Sequence, residues 1–260
     1  MINGGENRKS GRNIKLLVAY DGTDFHGWQK QDGNASRTVQ GTLEDALRKM
    51  HKTQVNVTGS GRTDSGVHAA GQVANFYTNM PGIPPDRFAP ALNSLLPSDV
   101  RIISASEASA DFHARFDAAM RTYRYHFIGG RILLPHESRY NLYLRRYPPI
   151  ETLNAYCRLI LGETDCSMFA GAGDASKSRS RYISKAGFHF EGGRLIFEIS
   201  ANAFLWKMVR SVAGTFLHYG EKGASPQELK EIIAHNDRSL AGPTLPPHGL
   251  FLWKIDYYRE

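Results

Sequence analysis

Gly59-Ser60-Gly61-Arg62-Thr63-Asp64-Ser65-Gly66-Val67-His68-Ala69 is the segment from which the rest of the chain is best read. Glycines at 59, 61 and 66 let the backbone take positive φ and pass close to a ligand. Between them stand Arg62, Thr63 and Asp64. Three readings fit this pattern. The plainest is a tight turn in which Asp64 caps the next stretch of backbone. A phosphate cradle is the second, but the run lacks the Lys-Ser/Thr ending of a P-loop and the third glycine of a dinucleotide fingerprint. The third displays Asp64 as a catalytic carboxylate beside Arg62. Spacing alone leaves them open.

Outward from this loop the chain alternates strand and helix signals. Upstream, Ile14 to Tyr20 is almost continuously apolar and reads as a buried strand closed by the turn residues Asp21-Gly22-Thr23. Val39, Leu43, Ala46, Leu47 and Met50 recur on one helical face. Val55 and Val57 suggest a strand running into Gly59. Downstream, 73–78 and 100–104 suggest two more. Arg121 to Ile128 is the clearest strand, with Tyr123, Tyr125 and Phe127 on one face. Such a stripe is most simply core packing. Leu153, Tyr156, Cys157 and Ile160 mark a helix, with Gly162 expected to end it. Residues 171–181 read as a glycine-, serine- and basic-rich loop. Residues 186–190 and 195–201 read as a hairpin around Gly192-Gly193. Leu205, Met208, Val209, Val212 and Phe216 mark another helix. Ser225-Pro226-Gln227-Glu228 is a capping-box start for a short one. Residues 251–258 close as a strand.

This order predicts an α/β (α+β) chain. The expected divisions are a tail over 1–12, an N-terminal half over 13–114 that holds the Asp64 loop, and a C-terminal half over 115–260. With 260 residues and 41% hydrophobic content, the chain can bury a sizeable core and is not a disordered polymer. No apolar run is long enough to cross a bilayer, and residues 1–13 lack the apolar core of a signal peptide. The two cysteines, Cys157 and Cys166, cannot build a disulfide framework or a thiolate zinc site. A cytoplasmic protein is expected. The formal net charge is +7, from 32 basic and 25 acidic residues. That excess fits either simple solubility or an anionic partner, nucleic acid first.

Gly61-Arg62-Thr63-Asp64-Ser65-Gly66-Val67-His68-Ala69 resembles the catalytic motif of the tRNA pseudouridine synthase A (TruA) family. Residues 20–29, 38–44, 121–125, 202–210, 241–244 and 247–250 resemble further signatures of that family, in order along the chain. Two stretches depart from it. Thr164-Asp165-Cys166-Ser167-Met168-Phe169 keeps only the Asp and the last Phe of a His-Asp-Phe…Phe run, and 129–149 matches poorly.

The resemblance implies two pseudo-symmetric halves, each a mostly antiparallel mixed sheet backed by helices, with the active-site cleft between them. It implies isomerisation of uridine to pseudouridine at positions 38, 39 and 40 of the tRNA anticodon stem-loop. Base flipping is implied, no cofactor or metal is used, and the enzyme is a homodimer. Asp64 is then the essential carboxylate. Arg210 pairs with it, against the plainer reading of a solvated helix charge. Tyr123 stacks on the base and is placed to handle the C5 proton. Leu250 walls the base. Arg62 fills the vacated stack or holds a phosphate, unless it is only a structural ion pair. His68 is expected to pack or to hydrogen-bond the loop. Lys177, Arg179 and Arg181, with Arg139, Arg145 and Arg146, are expected phosphate contacts, the alternative being a solvated charge run. Two rivals remain at this level: an RNA-binding module without catalysis, and a synthase acting on another RNA site.

Overall fold

The computed structural model describes residues 11–30 and 36–258. Most of the expected 1–12 tail lies outside the described residues. The strands in chain order are β1 (Arg12–Tyr20), β2 (Thr58–Gly59), β3 (His68–Thr78), β4 (Val100–Ala108), β5 (Ala118–Gly129), β6 (Leu142–Leu144), β7 (Gly162–Asp165), β8 (Ser180–Glu191), β9 (Arg194–Ala201) and β10 (Leu250–Tyr257). The helices are α1 (Val39–His51), α2 (Phe88–Asn93), α3 (Ile150–Arg158), α4 (Met208–Lys222) and α5 (Pro226–Ala234).

All ten strands form one sheet. Its path is β4-β1-β3-β10-β5-β9-β8-β7, with β2 paired to β3 and β6 to β5. Pairing is antiparallel except at β3/β10 and β5/β6. The last strand of the chain therefore lies in the middle. It joins β3 through Phe251↔His68 and Leu252↔Ala69, and β5 through a longer antiparallel ladder. The N-terminal and C-terminal groups of strands thus share a single sheet, welded by β10.

Local chemistry explains the main elements. α1 starts at Thr38, whose hydroxyl accepts from Gly41 N–H, and it buries Val39, Leu43, Ala46 and Leu47. The helix α5 has both halves of its capping box, Ser225 with Glu228 and Glu228 back to Ser225. β8 and β9 turn through Gly192 (φ 56°) and Gly193 (φ 75°), two successive left-handed residues suited to a two-residue hairpin. The Tyr123-Tyr125-Phe127 face of β5 is buried, and Tyr125 stacks on Phe127 at 4.7 Å.

Two local expectations are corrected. Val55 and Val57 are buried but stand outside the ladder, where β2 is only Thr58–Gly59. Gly162 does not end α3, which stops earlier; its positive φ starts β7. The short helix α2, six residues with Pro90 at its third position, carries too brief a period to be read from sequence. Among the described residues, no helix is long and apolar enough to cross a membrane.

Candidate active site

The loop between β2 and β3 is held by bonds from both flanks. Ser60 N–H donates to Val73 O at 2.8 Å, and Ser60 Oγ donates to Gln72 Oε1 at 2.6 Å. Gln72 Nε2 in turn donates to Gly61 O at 2.9 Å. Thr63 is fixed from the other side: Trp28 N–H donates to its carbonyl, and its hydroxyl shares a 2.8 Å bond with Tyr20. Val67 N–H closes the turn onto Asp64 O at 3.1 Å. Gly66 takes φ 76°, and a β-carbon there would stand 2.8 Å from Pro247 Cγ. Glycine is needed at this point both for its backbone and for its lack of a side chain.

This scaffold presents Asp64 to Arg210, the third residue of α4. Arg210 Nη1 donates to Asp64 Oδ2 at 3.1 Å. Arg210 Nε donates to Leu245 O at 2.6 Å, and Leu245 N–H returns a bond to Arg210 O. The Arg210 side chain is 12% exposed, which excludes a solvated helix charge. Among the described residues, Arg210 is the hydrogen-bond partner of the Asp64 carboxylate, so the simple turn-cap reading of Asp64 does not hold. A guanidinium locked by a backbone carbonyl is a preorganised cation beside an anion.

Tyr123 projects from β5, is 9% exposed, and meets Phe204 edge-on at 5.1 Å. Burial, with the neighbouring Tyr20 and Asp64, pushes its hydroxyl pKa well up, so the phenol stays neutral. Leu250, at the start of β10, is buried opposite Tyr125. Arg62, Asp64, Tyr123, Arg210 and Leu250 all line one cleft of about 1690 Å³. Arg62 is exposed within it, and its side chain makes no ion pair with a described residue.

His68 is fully buried and not in the cleft lining. Its Nδ1 accepts from Gly22 N–H, its Nε2 donates to His248 O, and its ring stacks on Phe251 at 4.7 Å. Burial pushes its pKa down. It ties the loop to the turn before β10, as a packing role requires.

The basic loop is arranged differently from its sequence reading. Its cleft-lining part is Gly173, Asp174, Ala175 and Ser176. Asp174 Oδ2 accepts from Trp206 N–H, which pins the loop to the segment before α4. Arg179 turns back onto Asp174 O at 3.0 Å, and Arg181 onto Ser178 O at 2.9 Å. Lys177 is exposed, and none of these three cations lines the cleft. Arg139 reaches Asp21 at 3.5 Å, while Arg145 and Arg146 are exposed away from the cleft lining.

The cations that do line it, besides Arg62 and Arg210, are Arg115, Arg121 and Lys207. Arg121 opens the 121–125 signature, although the sequence reading gives a site role only to Tyr123 within it. It donates to the carbonyls of Ala118, Asn202, Ser60 and Arg115, and so staples three cleft segments together. Its signal in the sequence is its position two residues before Tyr123, on the same strand face.

Comparison with known proteins agrees with this architecture. The sequence profile described as "tRNA pseudouridine synthase" matches residues 16–117 and 156–258. The chain is 52% identical over 252 residues to tRNA pseudouridine synthase A of Treponema denticola, covering 96% of this chain and 94% of that one. Identity to the protein of the same name from Treponema pallidum is 51% over 240 residues, covering 91% and 85%. For Caldicellulosiruptor saccharolyticus it is 41% over 252 residues, covering 95% and 100%. A cleft built around a loop-borne aspartate, matched at this identity over nearly the full length of its relatives, places the chain in the tRNA pseudouridine synthase family.

Proposed function

We propose that the chain isomerises uridine to pseudouridine in tRNA, at positions 38, 39 and 40 of the anticodon stem-loop. The observation that carries this is the Asp64–Arg210 pair facing Tyr123 in a cleft that a nucleotide can enter. The homodimeric state rests on the family resemblance, and the cytoplasmic location on the composition and cysteine usage of the sequence.

In the reaction the C1′–N1 bond breaks, uracil turns, and C1′ bonds to C5. The C5 proton leaves and N1 gains one, so no redox change occurs. Asp64 acts as the nucleophile or base. Arg210 donates to its Oδ2 at 3.1 Å, a charge-assisted bond that holds the carboxylate in one orientation for attack on a sugar or base carbon. Tyr123 supplies a ring face for the base. Its neutral phenol can accept the C5 proton only as its own proton leaves. Leu250 forms an apolar wall. Extrusion of the uridine costs a few kcal/mol of unstacking, offset by these contacts. Arg62 is free to enter the space the base vacates. Lys177, Arg179 and Arg181 lie off the cleft lining, so any phosphate contact they make belongs to RNA outside it.

Tritium release from tRNA labelled at uridine C5 tests the reading without added cofactor. Wild type should release it. Asp64→Asn should lose nearly all release while still binding tRNA. A chain that binds tRNA yet never releases tritium would instead support a binding module.

A further inference from the structure

Phe116, in the segment joining β4 to β5, is 75% exposed yet lines the cleft. An exposed apolar ring alone is ordinary; this one stands in the cleft lining on a fixed turn. The turn that carries it is rigidly built. His113 N–H donates to Asp117 Oδ2 at 2.8 Å, and Asp117 N–H donates back to His113 O at 3.1 Å. His113 Nδ1 accepts from the backbone N–H of both Arg115 and Phe116. Arg121 holds the turn from below through Arg115 O at 2.8 Å. The Phe116 ring rests against the His113 imidazole at 4.3 Å, with the Arg115 guanidinium 5.7 Å from its centre. The other exposed aromatic of the cleft, Trp206, is 44% exposed and is overlaid by Gly171 and the Lys207 ammonium. Phe116, with His113 against one side, remains far more open than Trp206.

The cleft is also larger than one base requires. Its volume of about 1690 Å³ exceeds the roughly 300–1,000 Å³ of a site for one small ligand. Resting on the reading of tRNA as substrate, we propose that Phe116 is a stacking platform for an unpaired nucleobase next to the flipped uridine, with Arg115 on the adjoining phosphate. A rigid aromatic presented beside a cation is the usual means of holding single-stranded RNA without reading its sequence. The preformed turn means that little order is lost on binding.

Filter binding of an anticodon stem-loop RNA at fixed salt tests this. Phe116→Ala should raise Kd roughly five- to 150-fold, and Phe116→Trp should stay near wild type. The salt slope should be unchanged in Phe116→Ala but reduced by about one in Arg115→Ala. 2-Aminopurine placed beside the target uridine should be quenched by wild type and not by Phe116→Ala. Melting temperature should not move, because the ring contributes little to the core. A Kd within twofold of wild type, or equal quenching, would overturn the proposal. So would a change of sedimenting mass in Phe116→Ala, which would place the ring against a second copy. Failure of wild type to release tritium would instead overturn the proposed reaction, a separable result.

Discussion

Asp64 and Arg210 are 146 positions apart and meet at 3.1 Å. Arg210→Lys keeps the charge but cannot bond Asp64 and Leu245 O together through a planar fork. It should lower kcat for tritium release roughly 10- to 150-fold, the worth of a hydrogen bond to a charged group. Asp21 offers a pH test. Its burial opposes ionisation, but hydrogen bonds from the Thr23 hydroxyl and backbone and from Tyr140 outweigh that, holding its pKa at about 2. A depressed folded-state pKa stabilises above the unfolded value near 4, and this is lost as pH falls through about 2. Asp21→Asn should therefore cost about 1 kcal/mol at pH 7, after discounting for solvent screening, and only a small fraction of that near pH 2. Urea titrations at the two pH values check it. Burial also pushes the Cys157 thiol up and the Cys166 thiol to about 12. Ellman's reagent should find neither thiol until the chain is unfolded.

At the scale of elements, local chemistry is readable wherever it is self-contained. The capping box of α5, the paired glycines of the β8–β9 turn and the aromatic face of β5 all stand where their residues indicate. Ser225→Ala should lower stability by about 1 kcal/mol, measured as a shift in urea midpoint with unchanged slope. Elements that depend on distant partners are not readable in the same way. Val55 and Val57 have strand character, but their segment finds no ladder beyond Thr58. The basic loop is another such case. Asp174 is an ordinary residue in sequence, yet it accepts from Trp206 and Ser176 and draws Arg179 back, so the loop meets the cleft through its small residues.

For the whole molecule, β10 is the strand that makes one sheet of two groups. Truncation before Leu250 would leave facing edges of β3 and β5 unpaired and remove buried Leu250, Leu252 and Ile255. Such a chain should be insoluble or lack a cooperative urea transition, although most of its strands remain. Charge also acts at this scale. A net +7 carries no address, but Arg62, Arg115, Arg121, Lys207 and Arg210 line the same cleft. tRNA affinity should fall steeply with salt, and Arg62→Ala should flatten the slope by about one.

The chain order by itself determined whatever depends on near neighbours: periodicity, caps, turns, and a loop motif specific enough to carry a family resemblance. The motif named Asp64, and companion segments named Tyr123, Arg210 and Leu250. Arg121 as a staple, Phe116 as an exposed ring on a rigid turn, and the turning back of Arg179 and Arg181 emerge only in three dimensions. Each is set by hydrogen bonds to backbone carbonyls or to a distant carboxylate, or by solvent exposure. A carbonyl is the same group at every residue, so the sequence holds no mark of which one a guanidinium will find.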